Sequence, residues 1–214
     1  MTKALSPDER AARWDSAYEH RGVDGVSWYQ PTPGVSLQLI EALGVPPTAA
    51  VIDAGGGASS LADHLARRGY SDVTVLDISR SALDLSRERL ADPMSVSYVH
   101  DDLLRWHPPR RYDLWHDRAV YHFLVDEDDR RRYAKTLRTA VAAGGFVILA
   151  TFAPDGPSMC SGLPVARYSA DALAQHLGTT LEQLVVRREE HTTPRGSTQP
   201  FTWIAGRVGS AVRP

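Results

Sequence analysis

Cysteine is almost absent from this chain. Cys160 stands alone among 214 residues, which excludes an internal disulfide and a thiolate zinc cluster. Lysine occurs only at positions 3 and 135; the basic charge is carried by arginine, which reads as a compositional habit rather than a binding patch. An excess of either charge is also missing. The 24 basic and 26 acidic residues leave a net charge of −2, so neither nucleic acid nor an anionic membrane surface is expected as a partner. No apolar run is long enough to span a bilayer and no secretory leader is evident, so a soluble, cytoplasmic protein is expected. Internal repeats and low-complexity segments are lacking. No His, Cys and Asp set has metal-ligand spacing; His116 with Asp117 is too short a set, and no metal is expected.

What remains is the composition of an ordinary globular domain, 43% apolar and 23% charged, at a length that predicts one domain with a full core. The chain is organised around VIDAGGGASS, residues 51–60. Ala50, Val51 and Ile52 read as a short buried strand closed by Asp53. Gly55, Gly56 and Gly57 follow, then Ser59 and Ser60, then a helix-periodic run through Leu61 and Leu65. Strand, glycine turn and helix have the geometry of a nucleotide-binding βα unit, in which glycine lets backbone and ligand approach closely, or of an ordinary tight βα turn. Position 60 is Ser, so the turn is not G-x-G-x-x-G, and no Gly-Lys-Ser/Thr follows to make a P-loop. The run VTVLDI reads as a second strand. It carries Asp77, 24 residues after Asp53, where an acid is placed to hydrogen-bond a ribose diol.

These residues resemble the class I S-adenosylmethionine (SAM) dependent methyltransferases. An acid followed by Gly-x-Gly is matched by Asp53, Gly55 and Gly57, and an acid ending the second strand by Asp77. The acid after strand three is offered by Asp101 or Asp102, with Asp102 preferred for its spacing to Trp106. The resemblance spans roughly residues 9–208. It implies an α/β, single-domain, three-layer Rossmann-like methyltransferase fold, with a mainly parallel sheet and a C-terminal antiparallel strand. It implies SAM as cofactor, S-adenosylhomocysteine as product, and a cofactor shell of Asp53, Gly55, Gly57, Asp77, Ile78, Asp101, Asp102 and Leu103, joined by Trp28 and Tyr29.

The expected organisation is an N-terminal arm or lid over residues 1–34, the SAM-binding domain over 35–208 and a frayed tail over 209–214. In the arm, Ser6, Pro7, Asp8 and Glu9 start a helix over residues 6–21. SWYQPTPG then forms a loop whose Trp28 and Tyr29 either staple the arm by packing or wall the methyl-transfer pocket. Pro33 to Leu43, Ser59–Arg68, Ser79–Leu90 and Asp126–Val141 read as helices, the last ended by Gly144-Gly145. Val96–Val99 and Phe146–Thr151 read as strands three and five. Ser169–Leu177 is a helix, and Leu181–Arg188 with Phe201–Val208 an antiparallel pair. Cys160, in the long loop after strand five, has no readable partner and is expected to be an inert thiol.

Strand four and its exit, YDLWHDRAVYHFL, gather His116, Asp117, Arg118, Tyr121 and His122. Ligands of open α/β sheets bind outside the carboxyl ends of the strands. His122 is the first candidate base, Tyr121 the second, and Asp117 an orienting group; His191 lies in a connection that can approach the pocket. His116 is equally readable as a buried satisfied histidine, and Asp117–Arg118 as a structural ion pair. The expected acceptor is a small molecule, methylated on S, N or O, and the protein a monomer or homodimer. The alternatives are a protein lysine methyltransferase and, from another class, an NAD-dependent oxidoreductase or a non-catalytic nucleotide-binding module. Lysine methyltransferases of elongation factors share the style of WDSAYEHRG and SWYQ but carry Asp-Lys-Gly-Thr where this chain has Asp117-Arg118-Ala119-Val120. The missing third glycine and the acid before the turn disfavour NAD.

Replacing Asp77 by alanine is expected to weaken SAM binding by about 1.5–3 kcal/mol, the worth of a hydrogen bond to a charged group. Calorimetry checks this; unchanged affinity in a folded variant removes Asp77 from the site.

Overall fold

The computed structural model describes residues 6–90, 95–177 and 181–209. Helix α1 (Pro7–Arg21) begins with a capping box in which Ser6 and Glu9 satisfy each other's backbone N–H groups. Helix α2 (Gly34–Ala42) leads into β1 (Val51–Ala54), α3 (Leu61–Arg67), β2 (Val73–Asp77), α4 (Arg80–Arg89) and β3 (Val96–His100). Next come β4 (Tyr112–Arg118), a 3-10 turn at Tyr121–Phe123, α5 (Glu127–Ala140) and β5 (Val141–Phe152). A small hairpin, β6 (Met159–Cys160) with β7 (Leu163–Pro164), precedes α6 (Ala170–His176), β8 (Leu181–Thr192) and β9 (Thr198–Val208).

The seven-stranded sheet has the order β3-β2-β1-β4-β5-β9-β8. Strands β1 to β5 pair in parallel, and β9 is antiparallel to both β5 and β8. The period of two along each strand divides the core between the faces. Val51, Leu114, Ile148 and Trp203 pack with Leu39 and Ile40 of α2, Leu61 and Leu65 of α3 and Leu83 of α4. Their neighbours Ile52, Trp115, Leu149 and Ile204 pack with Tyr133 and Leu137 of α5 and Leu173 of α6. These two layers of helices enclose the sheet, and α1 packs on α4.

Two expected boundaries move. The glycines at 144 and 145 lie inside β5 rather than ending a helix, because the chain turns straight from Ala140 into a strand at Val141. Gly144 takes φ +72°, and the β4–β5 register shifts between Tyr112 and Leu114, a bulge that glycine accommodates. The final strands also extend beyond their apolar runs, to Thr192 and back to Thr198. Of the expected tail, residues 210–214 lie outside the described residues.

The sheet order reverses between β1 and β4, where the glycine turn meets the exit of β4. Gly55 has φ +71°, and a Cβ there would sit 2.1 Å from Cγ2 of Val120. Gly55→Ala is therefore expected to destabilise the fold by about 2–5 kcal/mol, from the left-handed backbone and the overlap together. Adding Val120→Ala should recover the overlap part alone. Urea denaturation of the two single variants and the double variant checks this; simple additivity would show that the two residues do not compete for the space.

Candidate active site

A cavity of about 470 Å³ opens outside the carboxyl ends of the central strands, within the ~300–1,000 Å³ typical of small-molecule sites. One half is walled by Gly55, Leu76, Asp77, Ile78, Asp102 and Leu103, from the tips of β1, β2 and β3. The other half is walled by His122 and Phe123 after β4, Phe152 ending β5, Cys160 and Leu163 of the hairpin, and Gln199 and Phe201 of β9. A narrower void adjoins it, between Asp53, Gly55, Gly56, Ser59, His116, Tyr29 and Arg118.

The roof is α1 and the loop after it. The Trp14 ring packs edge-on against Trp28 and Phe123, at centroid distances of 5.7 and 4.9 Å. Trp28 donates its indole N–H to the Tyr18 hydroxyl at 3.1 Å. Asp15 accepts from the Ser79 hydroxyl at 2.7 Å and the Ser81 amide at 3.0 Å. Arg10 pairs with Asp102 at 2.6 Å, and Arg13 donates to the Ser161 carbonyl. Trp28 borders both the cavity and the void; Tyr29 borders the void alone.

Asp53 is buried, its Oδ1 2.7 Å from Nδ1 of His116, whose Nε2 meets the Ser36 hydroxyl at 2.9 Å. His116 is thus a satisfied core histidine bridging β4 to β1 and α2. Oδ2 of Asp53 has no hydrogen-bond partner among the described residues and borders the void. Asp77 accepts from the Ser79 amide at 2.7 Å and lines the cavity. Burial, with the Asp53 and Asp15 charges nearby, lifts its carboxyl to about 7. Ionising Asp77 in the folded state therefore costs stability as pH rises from its ordinary value through about 7. Asp101 and Asp102 both line the cavity, and Asp102 is held by Arg10 and by the Leu104 amide.

The exit of β4 corrects four expectations. Asp117 lies beneath the cavity, not in its wall. It is fully buried, accepting from the Tyr133 hydroxyl at 2.7 Å and the Val120 amide at 3.1 Å, and burial lifts it to about 7. Tyr121 turns the same way, its ring packed on Tyr133 and Tyr168, because successive side chains of the 3-10 turn leave it about 120° apart, which separates Tyr121 from His122. His122 does line the cavity, clasped by Phe123 and Phe152 at 4.5 Å each. Burial in this apolar sleeve, with the Arg118 charge, pushes it down to about 3, so it is neutral and a weak base at physiological pH. Neither ring nitrogen has a partner among the described residues. Arg118 makes no ion pair with Asp117; its nearest acidic group is Glu189, at 3.9 Å. His191 bonds the Ser27 carbonyl at 2.7 Å and borders neither space.

Sequence reasoning passed over Arg13, Trp14, Phe152, Gln199 and Phe201 as site residues. Trp14 fell on the helix-packing stripe of α1, and nothing local distinguishes a stripe facing a core from one facing a cavity. The strand residues Phe152, Gln199 and Phe201 lie 34, 81 and 83 positions beyond the end of β4 at Arg118, joined to it only by sheet order. Ala119 holds φ +72°, strained for a side chain, a feature that shows only in the folded chain. Among the described residues no His, Cys, Asp and Glu group is arranged to hold a metal ion, and no helix is long and apolar enough to cross a membrane.

Residues 51–145 match the family model of a methyltransferase domain. Malonyl-[acyl-carrier protein] O-methyltransferase 1 of Ilyobacter polytropus is 24% identical over 103 residues, 48% of this chain and 37% of that protein. EEF1A lysine methyltransferase 2 of Danio rerio is 25% identical over 152 residues, 64% of this chain and 65% of that protein. The chain thus spans less than two thirds of these relatives' lengths. Among solved structures, 1,6-didemethyltoxoflavin-N1-methyltransferase of Burkholderia thailandensis superposes with a TM-score of 0.73 at 20% identity, covering 98% of this chain and 93% of that one. That likeness extends the fold to the strands beyond the matched domain. Residues 51–145 are thus similar to a methyltransferase domain, with acids at the tips of β1, β2 and β3 and a reversal of sheet order between β1 and β4, and the whole chain shares the fold of that solved structure.

Proposed function

We propose that this protein transfers a methyl group from SAM to a nucleophilic atom of a small-molecule acceptor. The observation that carries this reading is the two-part cavity: a polar half along the tips of β1 to β3, continuous with an aromatic half beyond β4 and β5. The first half fits the cofactor. Asp77 suits the ribose hydroxyls, Ile78 and Leu103 the faces of the adenine, and the unpartnered Oδ2 of Asp53 an ammonium beside the glycine turn. Bound there, SAM supplies a methyl group on a sulfonium, open to in-line substitution. The chain's own work is then to hold the acceptor in line and to keep water out, which can lower a barrier by several kcal/mol. Phe123, Phe152 and Phe201 exclude water, and His122 offers a neutral hydrogen-bonding edge.

One feature supports a small acceptor over a protein lysine: the roof of Trp14 and Trp28 closes over the site. The bonds from α1 to Asp102, Ser79 and Ser161 tie one element to several strand tips; we read the arm as a lid that seats when the cofactor does. Calorimetry should then show S-adenosylhomocysteine binding and NADH failing to bind, with slower tryptic cleavage after Arg21 in the complex. NADH binding in its place would return the fold to the oxidoreductases; unaltered cleavage would make the arm a fixed wall.

The pH behaviour follows from His122. An unfolded chain takes up a proton here near 6.5, whereas the folded one does so only near about 3, so this site subtracts stability as pH falls through that window. Between those values the ring stays neutral in the folded protein. His122→Asn is accordingly expected to change kcat/KM by the same factor at about pH 6 and about pH 9, by less than the ~10²–10⁴-fold of a positioned base. A loss confined to the lower pH would restore His122 as the base.

A further inference from the structure

Arg118 is the group in this molecule whose surroundings account least for its charge. Its side chain is 10% exposed, and it borders both the cavity and the narrower void. Nη1 donates to the Trp28 carbonyl at 2.9 Å. Nε and Nη2 are buried with no hydrogen-bond partner among the described residues. The guanidinium lies 4.8 Å over the Phe201 ring. Its closest anion, Glu189, is already committed: Oε1 accepts from the Gln30 amide at 2.6 Å and Oε2 from the Trp203 indole at 2.9 Å. That leaves Arg118 only a 3.9 Å contact, without a hydrogen bond. Asp53, the other anion within its field, is bonded through Oδ1 to His116. Burial pushes Arg118 down to about 10, as expected of a cation short of ligands.

A buried guanidinium with two open donors is costly unless something completes it. A planar oxyanion is the group that meets such a fork with two parallel hydrogen bonds. Other unpartnered polar atoms face the same space: both nitrogens of His122 and the Oε1 of Gln199. Phe201 and Phe152 lie beside Arg118 and His122, a surface that suits a ligand with a flat or apolar body and one charged end; the cavity's aspartates, Asp77, Asp101, Asp102, Asp126 and Asp129, line it together with Arg10 and Arg13.

We propose that Arg118 is the carboxylate-binding residue of this site, taking the anionic end of a ligand between β4 and β9. The inference rests on the proposed function. The carboxylate has two possible bearers, the amino-acid end of the cofactor reaching through the void beside Asp53, or an anionic acceptor lying on Phe201 in the larger cavity.

The test is binding to the full chain as wild type, Arg118→Met and Arg118→Lys. One arm compares S-adenosylhomocysteine with methylthioadenosine, which lacks the amino-acid end. The other compares phenylacetate with phenylacetamide on protein saturated with S-adenosylhomocysteine. A cofactor carboxylate predicts that Arg118→Met weakens S-adenosylhomocysteine at least about tenfold and leaves methylthioadenosine unchanged. An acceptor carboxylate predicts that wild type prefers phenylacetate over phenylacetamide by at least about tenfold and that Arg118→Met erases the preference. In either case Arg118→Lys should restore part of the effect, since it keeps the charge and loses the fork. Glu189 keeps its Gln30 and Trp203 donors in both variants, so the fold is expected to survive, and thermal unfolding verifies it. If Arg118→Met does not fold, the wild-type and Arg118→Lys measurements decide alone. The inference is overturned if wild type shows no phenylacetate preference, or binds neither probe at millimolar concentration, while S-adenosylhomocysteine binds all folded variants alike. Failure of wild type to bind S-adenosylhomocysteine at all would instead sink the proposed function.

Discussion

The bond between Asp53 and His116 joins the two strands between which the sheet reverses its order. The residues face each other across the β1–β4 pairing, and their 2.7 Å contact is buried, with Ser36 of α2 completing the chain. Removing one member of such a buried pair generally costs about 3–5 kcal/mol, because the other is left unpaired. Its position sets the separation of two turns. One carries Gly55 at the end of β1; the other carries Arg118, Ala119 and Val120 at the end of β4. Val120 fills the space a Cβ on Gly55 would take, so the glycine is demanded by the neighbouring turn as much as by a ligand.

Below this junction lies a second network whose role is support. Trp115 donates to the Tyr133 hydroxyl at 3.0 Å, Tyr133 donates to Asp117, and Asp117 accepts from the Val120 amide. It anchors the exit of β4 to α5. The consequence is a division along the six residues from Asp117 to His122. Asp117 and Tyr121 point down and brace the turn, while Arg118 and His122 point up into the cavity. A charged residue and a histidine are thereby left in an apolar enclosure, each short of hydrogen bonds.

Burial, more than pairing, governs the electrostatics here. Asp77 and Asp117 rise to about 7, whereas His122 falls to about 3. All three shifts favour the uncharged form, as expected where water is excluded. They act on stability with opposite sign: the carboxylates weaken the fold as pH rises, and the histidine weakens it as pH falls. Such a site is electrostatically unfinished by itself and gains most from a ligand that brings its own charge.

Much of this architecture is determined locally. The acid-led glycine turn of residues 53–57, the acid at Asp77 and the short apolar runs of β1, β4 and β5 specify a nucleotide-binding sheet, because steric freedom at glycine and burial of a parallel strand on both faces act over a few residues. The caps at Ser6, Ser79 and Ser169 are equally local, each closing on a backbone amide within one turn. Three things were decided only by the tertiary structure. Which residues of HDRAVYH face the cavity depends on a 3-10 turn and on Tyr133 rising from α5 to meet Asp117. Whether Trp14 covers a core or a cavity depends on where α1 seats, set by contacts between Asp15 and Ser79 that lie 64 residues apart. The approach of Gln199 and Phe201 to the exit of β4 depends on β9 inserting antiparallel beside β5. Each is a long-range contact whose energy comes from burial and pairing across the sheet, and no short stretch of the chain carries that information.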